Sequence, residues 1–106
     1  MKNNIHYSPE ALNDLDGIWD YIASELFNPS AAEHTVTNIT DSIDRLEDFP
    51  ELGALLSSVT KLESDYLFLV SGNYLVFYRV DFQNVYIDRI LYSKRDYLHI
   101  LFSDLA

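Results

Sequence analysis

Residues 66–92 read YLFLVSGNYLVFYRVDFQNVYIDRILY, and their pattern decides the fold. β-Branched and aromatic residues form three runs, which Gly72-Asn73 and the stretch 81–84 separate. Such runs are typical of β-strands, and a two-residue link that contains glycine is typical of a hairpin. The stretch therefore predicts three consecutive antiparallel strands, which form a sheet over about residues 65–92.

Alternation along these strands predicts how the sheet packs, because successive side chains point to opposite faces. In the middle strand one face carries Tyr74, Val76, Tyr78 and Val80, and the other carries Leu75, Phe77 and Arg79. In the last strand strict alternation sets Val85, Ile87, Arg89 and Leu91 against Tyr86, Asp88, Ile90 and Tyr92. Each face of the last strand keeps one charged residue, so we expect one face to pack on helices and the other to be partly open.

Two helices precede the sheet. Ser8-Pro9 and Asn28-Pro29 are each an N-cap residue followed by a proline, which needs no backbone N–H at the first helical position. Apolar residues then recur at steps of three and four, as Leu12, Leu15, Ile18, Trp19, Ile22 and Leu26, and as Ala32, Val36, Ile39, Ile43 and Leu46. Phe49-Pro50 ends the second pattern. These signals predict an antiparallel helix hairpin over about residues 8–49.

The remaining segments are shorter. Residues 2–7 are predicted as one more short strand, and 93–102 as a turn followed by a short helix. Residues 51–64 carry loop signals and no predicted element. The expected organisation is a single domain, 1–106, that ends in a C-terminal segment at 93–106. The predicted class is α+β, in which an N-terminal strand and a helix hairpin pack on a small, mainly antiparallel sheet.

The charge of the chain is unevenly distributed. Seventeen acidic and seven basic residues give a formal charge of −10, which argues against a protein that grips nucleic acid by bulk charge. Residues 1–65 hold 13 acids and 3 bases, whereas residues 66–106 hold 4 of each. The whole excess therefore lies in the first part, and any anion-binding site is expected in the C-terminal third.

Several chemistries lack the residues they need. The absence of cysteine excludes disulfides, thiolate metal sites and a cysteine nucleophile, and it is typical of a reducing compartment. His6, His34 and His99 lie too far apart in sequence to predict a metal site, and three glycines provide no phosphate-binding loop. No cofactor is therefore expected. Since no apolar window approaches the ~18 residues of a membrane span, we expect a cytoplasmic protein without a membrane partner.

The candidate functional residues lie in the neutral C-terminal part and are Arg79, Arg89, Lys94, Arg95, Tyr97 and His99. Arginine offers a planar fork for phosphate or carboxylate groups. Tyr97 and His99 could stack on a base or move a proton. An alternative for the two arginines of the sheet is ion pairing with Asp81 and Asp88 across the strands. Lys94-Arg95 lies at a corner where nearby acids do not balance the charge.

Five segments in this order carry a resemblance to a known family: YSPEALNDLDGIWDYI at 7–22, NPSAAE at 28–33, RLEDFPELG at 45–53, NYLVFYRV at 73–80 and YIDRILYSKRDYLHILF at 86–102. Through them the chain resembles the RelE/ParE superfamily, the toxins of bacterial type II toxin–antitoxin pairs, also called plasmid-stabilisation proteins. The resemblance covers almost the whole length. It implies a helix hairpin on a small antiparallel sheet with an added N-terminal strand, in agreement with the elements predicted above.

Within the superfamily, the chain is more similar to the ParE branch, which blocks DNA gyrase, than to the ribonucleases that cleave mRNA on the ribosome. The ribonucleases tend to carry basic residues at positions that correspond here to Leu67, Leu69 and Leu75. Leucines cannot supply the positive charge that RNA cleavage needs around the scissile phosphate. Among the basic residues that are usual in these ribonucleases, Arg95 is the best match in this chain. A nuclease would use it with Tyr97 and His99.

The resemblance implies a growth-inhibiting toxin that acts on DNA gyrase and is neutralised by a cognate antitoxin. The candidates for target contact are Arg79, Arg89, Lys94 and Arg95, since the ParE branch poisons gyrase through the segment near residues 93–102. The acidic hairpin favours a basic antitoxin segment. The alternatives are a ribosome-dependent mRNA endoribonuclease, with the ribosome and mRNA as partners, and an inactive member that only binds its antitoxin. A homodimer is compatible with each alternative.

Overall fold

The structure, a computed structural model, describes residues 2–60 and 63–102. The strands are β1 (Asn4–Tyr7), β2 (Ala54–Leu55), β3 (Leu67–Ser71), β4 (Tyr74–Asp81) and β5 (Asn84–Tyr92). The helices are α1 (Pro9–Asp20), α2 (Pro29–Asp44) and α3 (Tyr97–Phe102). A π-helical turn (Tyr21–Glu25) extends α1, and 3₁₀ turns occupy Arg45–Glu47 and Leu56–Ser58.

The five strands form one sheet in the order β1-β5-β4-β3-β2. β3, β4 and β5 pair antiparallel as consecutive hairpins, and β2 adds antiparallel to β3. β1 pairs in parallel with the first half of β5, from Asn4↔Asn84 to Tyr7↔Ile87. The α+β class, the three-strand meander and the added N-terminal strand are therefore confirmed.

Both helices of the hairpin begin at the predicted caps. The Ser8 hydroxyl accepts a hydrogen bond from the Ala11 amide at 2.9 Å, and the Asn28 side chain accepts one from the Ala31 amide at 3.1 Å. Each cap satisfies an amide that has no partner within its helix, which contributes about 1 kcal/mol. A proline follows each cap residue at the start of the helix.

The prediction of which residues form the buried face of α1 is partly wrong. Leu12 and Leu26 are 50% and 54% exposed, whereas Ala11, Ile18 and Ile22 are buried. α1 packs chiefly against β5 and α2, so only the side of α1 toward these elements is covered. The buried residues on this face of the sheet are Ala11, Ile18, Ile22, Ala32, Ile39, Ile43, Leu46, Leu69, Val76, Tyr78, Val85, Ile87 and Ile90.

The opposite face of the sheet carries a second, smaller core. Its buried residues are Leu56, Leu75, Phe77 and Leu91, and the apolar side chains of α3 pack against them. The expectation that this face is partly open is confirmed, because the short C-terminal helix covers only its centre and leaves Val70 and Arg79 exposed. The Tyr97 ring lies 5.3 Å from the Phe77 ring, and the Phe102 ring meets Tyr66 edge-on at 5.8 Å.

A β-bulge in β5 breaks the predicted alternation of the last strand. Phe77 pairs with Arg89 and Tyr78 pairs with Ile87, so Asp88 is the extra residue. Beyond the bulge the two faces exchange. Ile90 joins the core under the helices and Leu91 joins the core under α3, which reverses the expected placement of both.

The segment without a predicted element adds an edge to the sheet. The Gly53 amide donates to the Tyr78 hydroxyl at 2.9 Å, and the Leu56 amide donates to the Tyr66 carbonyl at 2.9 Å. Leu56 is 1% exposed and belongs to the smaller core. A two-residue strand has no detectable periodicity, so only these long-range contacts define it.

Candidate functional site

Arg89 joins the bulged strand to α1. Its Nε and Nη2 donate to the two carboxylate oxygens of Asp14 at 2.8 and 2.9 Å, and the Ile90 amide donates to Asp14 Oδ2 at 2.9 Å. The side chains of Asp14 and Arg89 are only 12% and 26% exposed. The hydrogen bond to Asp14 raises the pKa of Arg89 above its ordinary value. Asp14 thus satisfies the Ile90 amide, in the part of the β5 edge that β1 leaves unpaired.

Arg79 lies in a second ion pair, with Asp88. Its Nε donates to Asp88 Oδ2 at 2.7 Å, and its guanidinium carbon lies 5.9 Å from the centre of the Tyr86 ring. Burial, followed by the negative charge of Asp88, raises the pKa of Tyr66 to about 12. Asp88, the bulge residue, therefore joins β5 to β4 through its ion pair with Arg79.

The predicted pairing of the strand arginines is half correct. Arg79 pairs with Asp88 as expected, but Arg89 pairs with Asp14, which is 75 residues away in sequence. The end of β1 accounts for the difference, because β1 pairs with β5 only as far as Ile87 and the rest of β5 lies beside α1, where Asp14 meets Arg89. Both guanidinium groups are held by carboxylates of the same chain, so a target phosphate would have to displace a carboxylate from either one.

A cavity of about 220 Å³ lies between these pairs and α3. Its lining consists of Ser8, Glu10, Tyr66, Asp88, Arg89, Ile100 and Leu101. Two carboxylates face the single arginine, and that arginine is already bonded to Asp14. The cavity therefore lacks the excess positive charge that stabilises a phosphate undergoing cleavage.

The positions that are basic in ribonuclease relatives are part of the two cores. Leu69 and Leu75 are 8% and 9% exposed, and Leu67 packs against the core under the helices. Leu69 lies under the helices and Leu75 lies under α3, on opposite faces of the sheet. Leu69 and Leu75 therefore serve packing, and Leu67 is partly buried against the same core as Leu69.

The remaining nuclease candidates do not converge on one cavity. Arg95 lines a groove beside α1, whereas the Tyr97 ring packs on Phe77 beneath α3. His99 is exposed on α3, and its amide donates to the Asp96 carboxylate at 3.3 Å. A base, an acid and a cation that act on one phosphate have to surround it. These three side chains are not arranged in that way.

Lys94 and Arg95 form an exposed basic corner between β5 and α3. Within residues 2–60 and 63–102, neither side chain makes an ion pair, in contrast to Arg79 and Arg89. The Arg95 amide donates to the Tyr92 carbonyl at 3.0 Å, which fixes the turn that presents the two side chains. The structure therefore leaves this pair of adjacent bases available to a partner.

A large groove runs between α1 and the second half of β5, and we call it the α1–β5 groove. Its volume is about 870 Å³. It is lined by Asn13, Asp14, Gly17, Ile18, Tyr21, Ile22, Leu26, Ala31, Thr35, Asn73, Tyr74, Ile90, Leu91, Tyr92 and Arg95. The sequence did not predict this groove, because it exists only where β1 stops short of the end of β5. An excess of aromatic residues at the ends of two strands, Tyr74 and Tyr92, was its only signal.

The structure gives His6 a local role in the sheet. The His6 ring stacks on Tyr86 at 5.1 Å and hydrogen-bonds the Asn84 side chain at 2.9 Å. In the part of the chain that the structure describes, no three His, Cys, Asp or Glu side chains are grouped to hold a metal ion. None of the helices described has both the length and the apolar composition needed to cross a bilayer.

Comparisons with known proteins identify what this chain is similar to. The family model described as "ParE toxin of type II toxin-antitoxin system, parDE" matches residues 5–97. No curated protein matches the sequence.

Two solved structures share the fold. One, a chromosomal ParDE toxin–antitoxin system from P. aeruginosa, superposes with a TM-score of 0.73 at 21% identity, over 88% of this chain and 98% of that one. The other, the RelBE2 toxin–antitoxin complex from Mycobacterium tuberculosis, superposes with a TM-score of 0.54 at 17% identity, over 87% and 99%. At these identities the likeness concerns the fold.

Proposed function

Because the chain belongs to the ParE toxin family of type II toxin–antitoxin systems, we propose that it inhibits bacterial growth by acting on DNA gyrase. A cognate antitoxin neutralises it, and both act in the cytoplasm. The observation that carries the proposal is the Lys94-Arg95 corner. It is an exposed basic pair without carboxylate partners in the described chain, next to α3, on a protein whose net charge is −10.

The arrangement of charges supports a protein-directed inhibitor over a nuclease. Arg79 and Arg89 are neutralised by carboxylates within the sheet. The leucines at the positions that are basic in ribonucleases are packed in the cores. Two adjacent positively charged side chains on a turn can pair with a carboxylate or phosphate of a partner. They do not supply the proton acceptor that RNA cleavage requires. No feature of the site favours the ribonuclease alternative.

The test is inducible expression of the chain in a bacterial host, alone and together with the product of a small neighbouring reading frame. We expect expression alone to reduce colony formation by at least tenfold and co-expression to restore it. The double variant K94A/R95A is expected to lose most of the growth inhibition. The matched control is K2A/R45A, which removes the same charge from exposed bases in the N-terminal half of the chain.

An assay with purified gyrase distinguishes gyrase inhibition from the two alternative functions. Cleavage complexes that are stabilised by the wild-type chain, but not by K94A/R95A, would support the proposal. Codon-positioned cuts in a translation extract would replace it with ribosome-dependent nuclease activity. Growth that is unaffected by expression of folded wild-type chain, with antitoxin binding retained, would identify an inactive antitoxin-binding member.

A further inference from the structure

The α1–β5 groove carries an uncompensated positive charge, although the net charge of the protein is −10. Its lining contains one carboxylate, that of Asp14, and one guanidinium, that of Arg95. The Asp14 carboxylate already accepts two hydrogen bonds from Arg89 and one from the Ile90 amide. No carboxylate pairs with Arg95 within residues 2–60 and 63–102. A ligand of the groove therefore meets one cation and no free carboxylate.

Three tyrosines add hydrogen-bond donors to the same lining. They are Tyr21, Tyr74 and Tyr92, and the rings of Tyr74 and Tyr92 meet edge-on at 5.8 Å. Burial, followed by the electrostatic effect of Tyr92 and Tyr21, raises the pKa of Tyr74 above its ordinary value. The Tyr74 hydroxyl therefore keeps its proton at neutral pH and can donate a hydrogen bond to an anion. An arginine and phenolic hydroxyls in one groove together suit an acceptor group such as a carboxylate or phosphate.

Much of the remaining lining is apolar. Three of its isoleucines, Ile18, Ile22 and Ile90, are buried, whereas Tyr21 and Leu26 are 55% and 54% exposed. A ligand that covers the exposed side chains removes apolar surface from water, which is favourable. An aromatic ligand also gains from edge-to-face or offset contacts with the tyrosine rings. The groove therefore favours a ligand whose body is apolar or aromatic.

Volume and charge together indicate a small ligand. The groove has a volume of about 870 Å³, within the range of roughly 300–1,000 Å³ that is usual for small-molecule sites. Residues 9–44, which include both helices of the hairpin, contain eight acidic residues and no lysine or arginine. Their field repels a nucleic acid or another polyanion. A single anionic group in direct contact with Arg95 escapes most of this repulsion, because salt screens the more distant charges.

We propose that the α1–β5 groove binds a small amphipathic acid, a molecule with one anionic group and an apolar or aromatic body. The anionic group pairs with the Arg95 guanidinium, and the body packs on the tyrosines and isoleucines of the lining. This site goes beyond the proposed function, since binding of the acid requires neither gyrase nor an antitoxin. Lys94, the other half of the exposed basic pair, does not line the groove, so the two residues have separable roles.

The probe is 2-naphthoate, which joins a carboxylate to an aromatic body, and the uncharged comparison is 2-naphthamide, which has nearly the same shape. A nuclear magnetic resonance titration follows the backbone amides of Asn73, Tyr74 and Tyr92. We expect 2-naphthoate to bind with a Kd below about 1 mM, and at least about fivefold more tightly than the amide. 2-Naphthyl phosphate distinguishes the two sources of the anionic group. Tighter binding than 2-naphthoate would indicate a phosphate monoester, and weaker binding a carboxylic acid.

Two substitutions in the basic corner locate the anionic group. R95A and K94A remove the same charge from adjacent exposed positions, but only Arg95 lines the groove. We expect R95A to weaken binding of 2-naphthoate at least about fivefold and K94A to weaken it less than about twofold, because only R95A loses a direct ion pair.

A blocking variant locates the body of the ligand. A Cβ placed on Gly17, which lines the groove, meets no atom within 4 Å, so G17E adds a carboxylate there without a clash at its Cβ. T37E is the matched control, since it adds the same charge at an exposed position of α2 that does not line the groove. We expect G17E to weaken binding of 2-naphthoate at least about tenfold and T37E to weaken it less than about twofold. Thermal unfolding verifies that all four variants are folded.

Three results would overturn the inference: no saturable shift of the groove amides with 2-naphthoate, equal affinity for 2-naphthoate and 2-naphthamide, or equal weakening by R95A and K94A. Equal affinity for the acid and the amide would leave an apolar surface without a site for an anion. If G17E does not fold, the comparison of R95A with K94A still decides. Growth inhibition is measured separately, so a chain that arrests growth without binding the acid refutes only the ligand site.

Discussion

Substitution of Asp14 by alanine is expected to destabilise the fold more than substitution of any other acidic residue of α1. The Asp14 carboxylate accepts three hydrogen bonds, two from Arg89 and one from the Ile90 amide, at 2.8 to 2.9 Å. Truncation leaves a guanidinium that is 26% exposed without its partner, and an amide at the sheet edge without an acceptor. Losses of this kind cost about 3 kcal/mol, less than for a fully buried pair because water reaches the arginine.

The assay for D14A is urea and thermal unfolding. For a domain of this size, about 3 kcal/mol corresponds to a fall in Tm of roughly 12 °C. D16A, at an exposed position of the same helix, is the control and should stay within about 0.5 kcal/mol of wild type. A double-mutant cycle with R89A should give a coupling of about 1–3 kcal/mol. If D14A lowers the free energy of unfolding by less than about 0.5 kcal/mol, the ion pair between Asp14 and Arg89 is not the contact that joins α1 to β5.

Three further predictions concern glycines, a strained turn and alkaline pH. G17A should stabilise the fold by about 1 kcal/mol, because the added Cβ meets open space in a helix. G53A should destabilise it by at least about 2 kcal/mol, because the added Cβ would lie 2.6 Å from a backbone carbonyl oxygen. Urea unfolding of both variants measures the two effects, and equal effects would contradict the reasoning. F82G should stabilise by about 0.5–1 kcal/mol, because Phe82 is 93% exposed with a left-handed φ of 55°, and a thermal scan without a rise in Tm would refute that strain. The pKa of Tyr7 and of Tyr66 is about 12 in the folded chain, above the ordinary 10. The stability that these two residues contribute is therefore complete below pH 10 and is lost as the pH rises toward 12. Absorbance at 295 nm against pH should show the delayed ionisation, and full tyrosine ionisation near pH 10 in the folded chain would contradict it.

Local signals accounted for most of the elements. The caps Ser8 and Asn28 fixed the starts of both helices, and the alternation along 74–80 fixed the faces of the central strand, because these patterns act over a few residues. The two-residue strand at 54–55 was missed, since it depends on contacts with β3 and on the Tyr78 hydroxyl. Such contacts leave no periodicity in the sequence.

The candidate site was predictable only in part. The sequence identified a neutral C-terminal third with clustered bases and the absence of the nuclease residues at Leu67, Leu69 and Leu75. It offered ion pairing with nearby acids as an alternative for the two strand arginines and indicated unbalanced charge at Lys94-Arg95, but it kept all four residues as candidates for target contact. The structure distinguishes the two pairs, because the two arginines are held by carboxylates and the two turn residues are not, in the part of the chain described.

Composition and periodicity alone determined the α+β class, the order of the elements and the concentration of negative charge on the helix hairpin. Those properties depend on residue types and on the short spacings between apolar residues, both of which can be read directly from a sequence. Tertiary structure decided the partner of Arg89, the exchange of Ile90 and Leu91 between the two cores, and the existence of the α1–β5 groove. All three follow from one extra residue in β5 and from the short length of β1, whose effects appear only when strands far apart in sequence are set in register.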